Sequence, residues 1–267
     1  MEIMPLQLLI FGVIAALANI LGGLILLPGR FHGRYKQTLK YLLALGAGFM
    51  LAVTFFEVIP KTILIWQRSE GRGDDSLYVP MLLLLGGYLL TQFFEHTIAP
   101  HFHLGEEMHV ENQLSTSSAY TGVGGILIHA FFDGVSIAAA SYVDPRVGFL
   151  VFIAVFLHKF PEGFTIASML VAAGKGAREI VIATAVIGFA TLIGVLVFAL
   201  VGSRVESSTA YALPIASGVT LYVAASDLIP EVNHHGGQRP LVSISVFAGV
   251  ALFFAIHILV HELLGGH

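Results

Sequence analysis

The segments LIHAFFDGVSIAAA (residues 127–140) and FLHKFPEGFTIASM (residues 156–169) decide how this chain folds. Each places a histidine four residues before a carboxylate and a glycine directly after it. The two pairs are His129 with Asp133 and His158 with Glu162. Four residues make about one helical turn, so each imidazole shares a helix face with its carboxylate. Unpaired ionisable groups at bilayer depth cost several kcal/mol, so the repeated pattern predicts a divalent metal ion held between two membrane helices.

Apolar residues also dominate the rest of the chain. Of 267 residues, 56% are hydrophobic and 11% charged, whereas a soluble domain carries about 25% charged residues. Crossing about 30 Å of hydrocarbon takes roughly 20 residues, and the apolar blocks have that length without the period-two alternation of barrel strands. The blocks are 5–28, 38–60, 79–98, 119–142, 147–172, 178–202, 209–231 and 241–263. The sequence therefore predicts one all-α integral membrane domain, residues 1–267, with eight transmembrane helices.

Composition narrows the chemistry and the partners. The chain has no cysteine, which excludes disulfides and thiolate metal sites and leaves His, Asp and Glu as ligands. The formal net charge is −4, and no basic stretch suits nucleic acid. The expected partners are divalent metal ions and the lipid bilayer, and the sequence leaves open whether the bundle forms a homodimer.

Lysine and arginine positions predict how the chain lies in the membrane. The first loop, PGRFHGRYKQTLK (residues 28–40), carries four basic residues and no acid. Basic loops tend to stay on the cytoplasmic side. We therefore expect both termini outside. The expected location of this multi-pass protein is the plasma membrane.

A second internal similarity relates the second and seventh spans, GAGFMLAVTFFEVIP (46–60) and ASGVTLYVAASDLIP (216–230). Aligning them places Glu57 on Asp227 and a proline on a proline. The two spans are an odd number of crossings apart, so they run in opposite directions. Transporters use inverted repeats of this kind to build one central site with two alternately opened mouths. Transport is therefore the leading interpretation, with the two acids at opposite mouths.

The predicted architecture is a 3+2+3 inverted-repeat bundle. Its parts are a first three-helix repeat at 5–98, a central pair carrying the metal site at 119–172, and a second repeat at 178–263. The connection at 99–118 is a cytoplasmic loop rich in His and Glu, which binds a cation weakly or is simply solvated. The expected pathway or secondary metal residues are Glu57, Glu95, His96, His101, His103, Asp227 and Glu231.

On these residues the chain resembles the ZIP family (Zrt-, Irt-like proteins) of divalent-metal transporters. The resemblance extends over eight spans, the histidine-bearing third loop and an HxxxDG fourth span, and HKFPEG (158–163) is its most specific string. It implies a transporter rather than an enzyme, without a prosthetic group. It implies that zinc moves toward the cytoplasm, with iron, manganese, cadmium or cobalt as further substrates. The implied site residues are His129, Asp133, His158 and Glu162.

The chain departs from the family pattern at two positions. Some members hold a second ion through an Asn after the fourth-span histidine and an acid or Asn after the fifth-span one. Here these positions are Ala130 and Lys159. We predict that the Lys159 ammonium takes the place of the second cation and leaves a mononuclear site. The alternative is that Lys159 extends along its helix toward an interface.

Other classes of protein also fit a histidine-rich membrane chain. One is an integral-membrane metalloenzyme, either a histidine-box oxygenase or an intramembrane protease. The C-terminal HELLGGH, however, places four residues between Glu262 and His267, where H-E-x-x-H has two. Another is a metal-gated sensor without flux. Only a transporter would accumulate metal inside vesicles.

Overall fold

A computed structural model describes residues 5–25, 32–70, 77–97, 116–202, 208–236 and 240–265. Within these ranges the regular elements are helical. The α-helices are α1 Pro5–Leu24, α2 His32–Val53, α3 Ile59–Glu70, α4 Tyr78–Thr97, α5 Thr116–Val143, α6 Pro145–Ala172, α7 Ala177–Gly202, α8 Ser208–Tyr222, α9 Ile229–Gly236 and α10 Pro240–Gly265. The π-helical turn Thr54–Val58 joins α2 to α3, and Val223–Leu228 joins α8 to α9.

Eight helical stretches in the described residues are long and apolar enough to cross a membrane, which confirms the predicted fold class. Their outer surface carries large apolar side chains. Leu82 is 68% exposed and Phe247 is 73% exposed. Such a surface matches hydrocarbon rather than water. The inverted repeat, the division into 3+2+3 helices and the membrane side of each terminus stay predictions.

The second span is longer than its sequence suggested. The predicted end was residue 60, but the span runs over Lys40–Gln67. Proline removes a backbone donor, and its ring clashes with the carbonyl four residues earlier. The π turn before Pro60 widens the helix, with the Ile59 N–H donating to the Thr54 carbonyl, so the helix continues through the proline.

The seventh span contains the same irregularity. Its π turn Val223–Leu228 precedes Pro230, and the Ile229 N–H donates to the Ala224 carbonyl. Isolated π turns are rare and often lie at functional sites. Each of the two turns contains the acid singled out by the sequence similarity, Glu57 or Asp227.

Glycines pack the helices into two groups. The first group comprises α1, α5, α6 and α7, and the second comprises α2–α3, α4, α8–α9 and α10. In both, a Cβ added to a glycine would overlap a backbone carbonyl of the neighbouring helix. First-group pairs are Gly22 with Phe160, Gly163 with Asn19, Gly134 with Thr191 and Gly194 with Phe131; second-group pairs are Gly48 with Val246, Gly249 with Leu45, Gly87 with Ile215 and Gly218 with Leu84.

At the boundary between the two groups, one glycine makes a looser contact. The Cβ position of Gly46 on α2 lies 3.8 Å from Leu157 on α6, an ordinary van der Waals separation. Each backbone overlap named above falls inside one group. Small residues that let helix backbones touch are a main source of cohesion between membrane helices, so each group is tightly packed within itself.

Gly194→Ala is expected to destabilise the protein because the new methyl group would overlap the Phe131 carbonyl. Overpacking of this kind typically costs about 1–3 kcal/mol. Gly124→Ala is the matched control, since its Cβ would meet nothing within 4 Å. Melting in detergent, followed by the monodisperse fraction, should show a lower midpoint for Gly194→Ala alone. Equal midpoints would contradict the packing argument.

Asp144 is the whole connection between α5 and α6. Its Oδ1 accepts a hydrogen bond from the Arg146 backbone N–H at 3.0 Å, and Pro145 occupies the first helical turn. An Asp cap followed by proline is a strong helix start. Because both helices are 28 residues long, the tight turn places their middles side by side.

Candidate metal centre

The four ligands predicted from the sequence lie together near the middle of α5 and α6. One ligand atom from each can be chosen so that all lie within 4.8 Å of one another. These residues, here called the metal cluster, are His129, Asp133, His158 and Glu162. The Asp133 side chain is fully buried, and the two histidines are 7% and 3% exposed. The cluster is therefore enclosed by protein.

Asp133 stands at the centre of the metal cluster. Its Oδ2 lies 3.1 Å from Nε2 of His129 and 3.2 Å from Nε2 of His158. Nδ1 of His158 lies 3.0 Å from the Ala154 carbonyl. A neutral imidazole that donates from Nδ1 keeps a lone pair on Nε2, and such a backbone contact commonly orients metal-binding histidines. His158 is thus held with its ligand atom facing Asp133.

Within the described residues, two atoms of the metal cluster are buried without a hydrogen-bond partner. They are Nε2 of His129 and Oδ1 of Asp133. Nε2 is close to Oδ2 of Asp133, but their relative orientation does not make a hydrogen bond. Buried polar atoms usually have partners because leaving them bare is costly. A cation would satisfy both lone pairs.

Lys159 lies inside this group of ligands. Its side chain is fully buried, and Nζ is 2.8 Å from Oδ2 of Asp133 and 2.7 Å from Oε2 of Glu162. The ammonium therefore bridges the two carboxylates instead of extending toward an interface. With both acids ionised, it offsets one of their two negative charges.

Asn19 brings a third helix to the metal cluster, although the histidine–carboxylate pattern did not predict it. Its side chain is fully buried, and Nδ2 donates to Oε1 of Glu162 at 2.6 Å. The signal available in the sequence was a single amide deep in an apolar span, within ALANILGG. Polar residues inside membrane helices usually face a partner or a site.

Glu57 lies away from the metal cluster, among polar side chains that surround the α5–α6 turn. Its Oε1 is 2.6 Å from Nδ1 of His257 on α10, a partner that was not predicted from the sequence. Two further contacts lie beside this pair: the 3.2 Å Lys61–Asp144 ion pair and the 3.3 Å contact between Arg146 Nη1 and His261 Nδ1. These six residues are here called the mouth cluster. The Lys61 and Arg146 contacts join the two glycine-packed groups.

The remaining predicted pathway residues fall into three sets. Glu95 contacts the side chains of Tyr222 and Asp227 and interacts electrostatically with His129, so two predicted acids are neighbours near the metal cluster. His96 is exposed near the end of α4. The third set, His101, His103 and the Glu231 side chain, lies outside the described part of the structure.

A small cavity lies between the metal cluster and the mouth cluster. It is lined by residues of α5, α6, α8 and the first π turn, including the hydroxyl-bearing Thr54, Ser136, Ser217 and Thr220. Its volume is about 10 Å³, enough for about one water molecule. The cavity is therefore too small for a hydrated ion in this conformation.

Asp144 carries both the helix cap and the Lys61 ion pair. Partial burial alone would raise the pKa of its carboxyl group, but the Arg146 N–H and the Lys61 ammonium hold the pKa below its usual value. A lowered folded pKa means that the charge stabilises the protein above the unfolded pKa of about 3.9, and that this stability is lost as pH falls through the folded value.

Asp144→Asn is therefore expected to lower stability at pH 7 by less than about 1 kcal/mol, because the ion pair is partly solvated. Asp144→Ala should cost about 1 kcal/mol more through loss of the cap. The melting-point difference between wild type and Asp144→Asn should close below about pH 4. Lys61→Met is the matched control, because it removes the other member of the ion pair. A melting-point difference between wild type and Asp144→Asn that did not depend on pH would contradict the stabilising role of the Asp144 charge.

Comparisons with known proteins identify a family. A family model described as "ZIP Zinc transporter" matches residues 103–257. The chain is 26% identical to Zinc transporter ZIP9 of Micropogonias undulatus over 243 residues, which are 75% of this chain and 78% of that protein. It is 29% identical to Zinc transporter ZIP9 of Xenopus tropicalis over 238 residues, with the same coverage. Zinc transporter ZIP10 of Mus musculus is 30% identical over 149 residues, 52% of this chain and 18% of that protein.

Proposed function

The chain belongs to the ZIP zinc transporter family, and from that premise we propose that it carries zinc toward the cytoplasm through the metal cluster. It is a multi-pass membrane transporter of divalent metal ions rather than an enzyme. The metal is its substrate and not a prosthetic group.

The observation that carries the proposal is the buried set of ligand atoms within 4.8 Å of one another on α5 and α6. Zn²⁺ accepts imidazole nitrogen and carboxylate oxygen in four-coordinate sites. The metal cluster offers two of each without a thiolate. This mixture also accepts iron, manganese, cobalt and cadmium, since nitrogen and oxygen ligands discriminate weakly among divalent ions.

Lys159 makes the proposed site mononuclear and its binding reversible. The ammonium contacts one oxygen of Asp133 and both oxygens of Glu162. An arriving ion must displace it from at least one carboxylate, so part of the binding energy is spent on separating an existing ion pair. The same ammonium can return as the ion leaves, which favours release.

We infer a route with the acids of the two π turns at its ends. The ion enters past Glu57 and leaves past Asp227, Glu95, His96 and Glu231 toward the loop that carries His101 and His103. The metal cluster lies on the first glycine-packed group, whereas Glu57 and Asp227 lie on the second. Movement of one group against the other would expose the ion to each mouth in turn.

Uptake by purified protein in lipid vesicles tests the proposed function. We expect inorganic zinc to accumulate inside, saturating with concentration, beyond the level in protein-free vesicles. Zinc binding without accumulation would instead support a sensor. Metal-dependent hydrolysis or oxygenation without accumulation would support the metalloenzyme.

Single-cysteine labelling in intact cells tests the proposed plasma-membrane location and topology, since the chain has no cysteine of its own. The exposed residues Gln67 and Arg178 mark opposite ends of their spans. With both termini outside, an impermeant thiol reagent should label Gln67→Cys and leave Arg178→Cys unlabelled. The reverse pattern would overturn the orientation.

A further inference from the structure

We propose that Asn19 determines which divalent ions the metal cluster prefers, by restricting Glu162 to one coordinating oxygen. This inference rests on the proposed function and assigns α1 a part in it. Asn19 is a positioning residue here, because it acts through Glu162 rather than on the ion.

The hydrogen bond between Asn19 and Glu162 fixes the two carboxylate oxygens in different roles. A carboxylate oxygen only accepts, so the amide nitrogen must be the group that faces it. Nδ2 of Asn19 donates to Oε1 at 2.6 Å, while Oε2 lies 3.5 Å from the His129 ligand atom. The Lys159 ammonium donates to both oxygens, at 2.8 Å and 2.7 Å, so it does not distinguish them. The Asn19 amide does: it engages Oε1 alone and leaves Oε2 as the oxygen directed into the metal cluster.

The backbone around Asn19 leaves it little freedom to move away. Gly163 packs against the Asn19 carbonyl, and Gly22 packs against the Phe160 carbonyl. These two contacts hold α1 and α6 backbone to backbone beside Glu162. The amide donor and the carboxylate therefore keep their relative position while the first glycine-packed group moves.

Engaging one carboxylate oxygen has a direct consequence for the choice of ion. A carboxylate that offers one oxygen suits the four-coordinate shell of Zn²⁺. One that offers both suits larger ions with more oxygen ligands, such as Ca²⁺. Cd²⁺ is larger than Zn²⁺ and binds nitrogen and oxygen donors, so it is the probe for this difference. Asn19 thus biases the site toward small ions.

The test compares zinc and cadmium uptake by wild type, Asn19→Leu and Asn19→Asp in vesicles. Asn19→Leu keeps a similar volume without a donor, and Asn19→Asp turns the donor into a second carboxylate. We expect both to reduce the zinc-over-cadmium preference by at least about 10-fold, the lower end of effects seen for groups that hold metal ligands. Thr184→Val is the matched control, because it removes a buried hydroxyl next to Gly23 of α1, outside the metal cluster, and should leave the preference unchanged.

X-ray absorption at the zinc edge separates positioning from direct ligation. In Asn19→Leu, zinc should keep its neighbours or gain one as Glu162 becomes bidentate. Loss of one oxygen neighbour would overturn the proposal by showing that the buried, unpartnered Oδ1 of Asn19 itself binds the ion. An unchanged preference in both variants would also overturn it.

If Asn19→Leu does not yield monodisperse protein, Asn19→Ala takes its place, since it removes the donor without adding volume. Failure of the proposed function is distinguishable from failure of this inference. Wild-type protein that accumulates no zinc refutes the function. Wild-type protein that accumulates zinc with the same selectivity as the Asn19 variants refutes only the role of Asn19.

Discussion

Glu162→Ala is expected to abolish saturable zinc uptake while the protein still inserts and folds. The substitution removes one of the two carboxylates and leaves the Lys159 ammonium and the Asn19 amide without their Glu162 partner. Mutating groups that only support a metal ligand already costs about 10–100-fold in metal affinity, so we expect the loss of a ligand itself to cost more than about 100-fold. Uptake into vesicles and zinc-binding calorimetry measure the loss.

Two further variants sharpen this prediction. Glu162→Asp keeps the charge but withdraws the carboxylate by one methylene group, so we expect weak uptake that saturates at higher zinc concentration. Glu179→Ala removes an acid in the first turn of α7, outside the metal cluster, and should transport normally. Wild-type uptake by Glu162→Ala at equal protein density would rule out the assigned site.

Replacing Lys159 should have the opposite effect on affinity. Lys159→Met keeps most of the buried volume but removes the ammonium that bridges Asp133 and Glu162. Zinc then meets two uncompensated carboxylates. Opposite charges about 4 Å apart attract by about 4 kcal/mol at an effective dielectric constant of 20, so affinity should rise by at least about 10-fold. Maximal uptake should fall because the ion leaves more slowly.

Lys159→Asp tests the mononuclear site directly. It restores an acid at the position where some family members bind a second ion, so calorimetry should show two zinc ions per chain instead of one. Lys40→Met is the control, because Lys40 is also buried, at 8% exposure, but is outside the metal cluster. A stoichiometry of one in Lys159→Asp would defeat the idea that the ammonium replaces a cation.

The period of the α-helix explains which site residues could be predicted from the sequence. Spacing by four places His129 with Asp133 and His158 with Glu162 on common helix faces, and the short α5–α6 connection turns those faces toward each other. The same pattern cannot identify neighbours on distant spans. Asn19 and His257 meet their partners through the rotation and vertical offset of α1 and α10, which depend on the packing of glycines and larger side chains.

The number of spans could be predicted from local sequence, but the end of the second span could not. The apolar blocks predicted the eight crossings, because hydrocarbon thickness limits the length of each. The extension of the second span beyond Pro60 was not predicted. A proline usually ends or kinks a helix, and here the backbone accommodates it by a local change in hydrogen bonding. The amino-acid composition of this segment does not predict that change in hydrogen bonding.

The π turn at Thr54–Val58 also determines which way the side chains of the following helix, α3, point around the helix axis. Each residue advances an α-helix by about 100°, so one additional residue in a turn rotates the following helix by that angle about its axis. After this rotation, the Lys61 ammonium donates to Asp144 and the Trp66 indole donates to the Ala210 carbonyl. Deleting a single residue such as Phe55 would turn both side chains away from these partners while leaving the span long enough to cross the bilayer. In this segment a one-residue deletion is therefore more disruptive than most point substitutions.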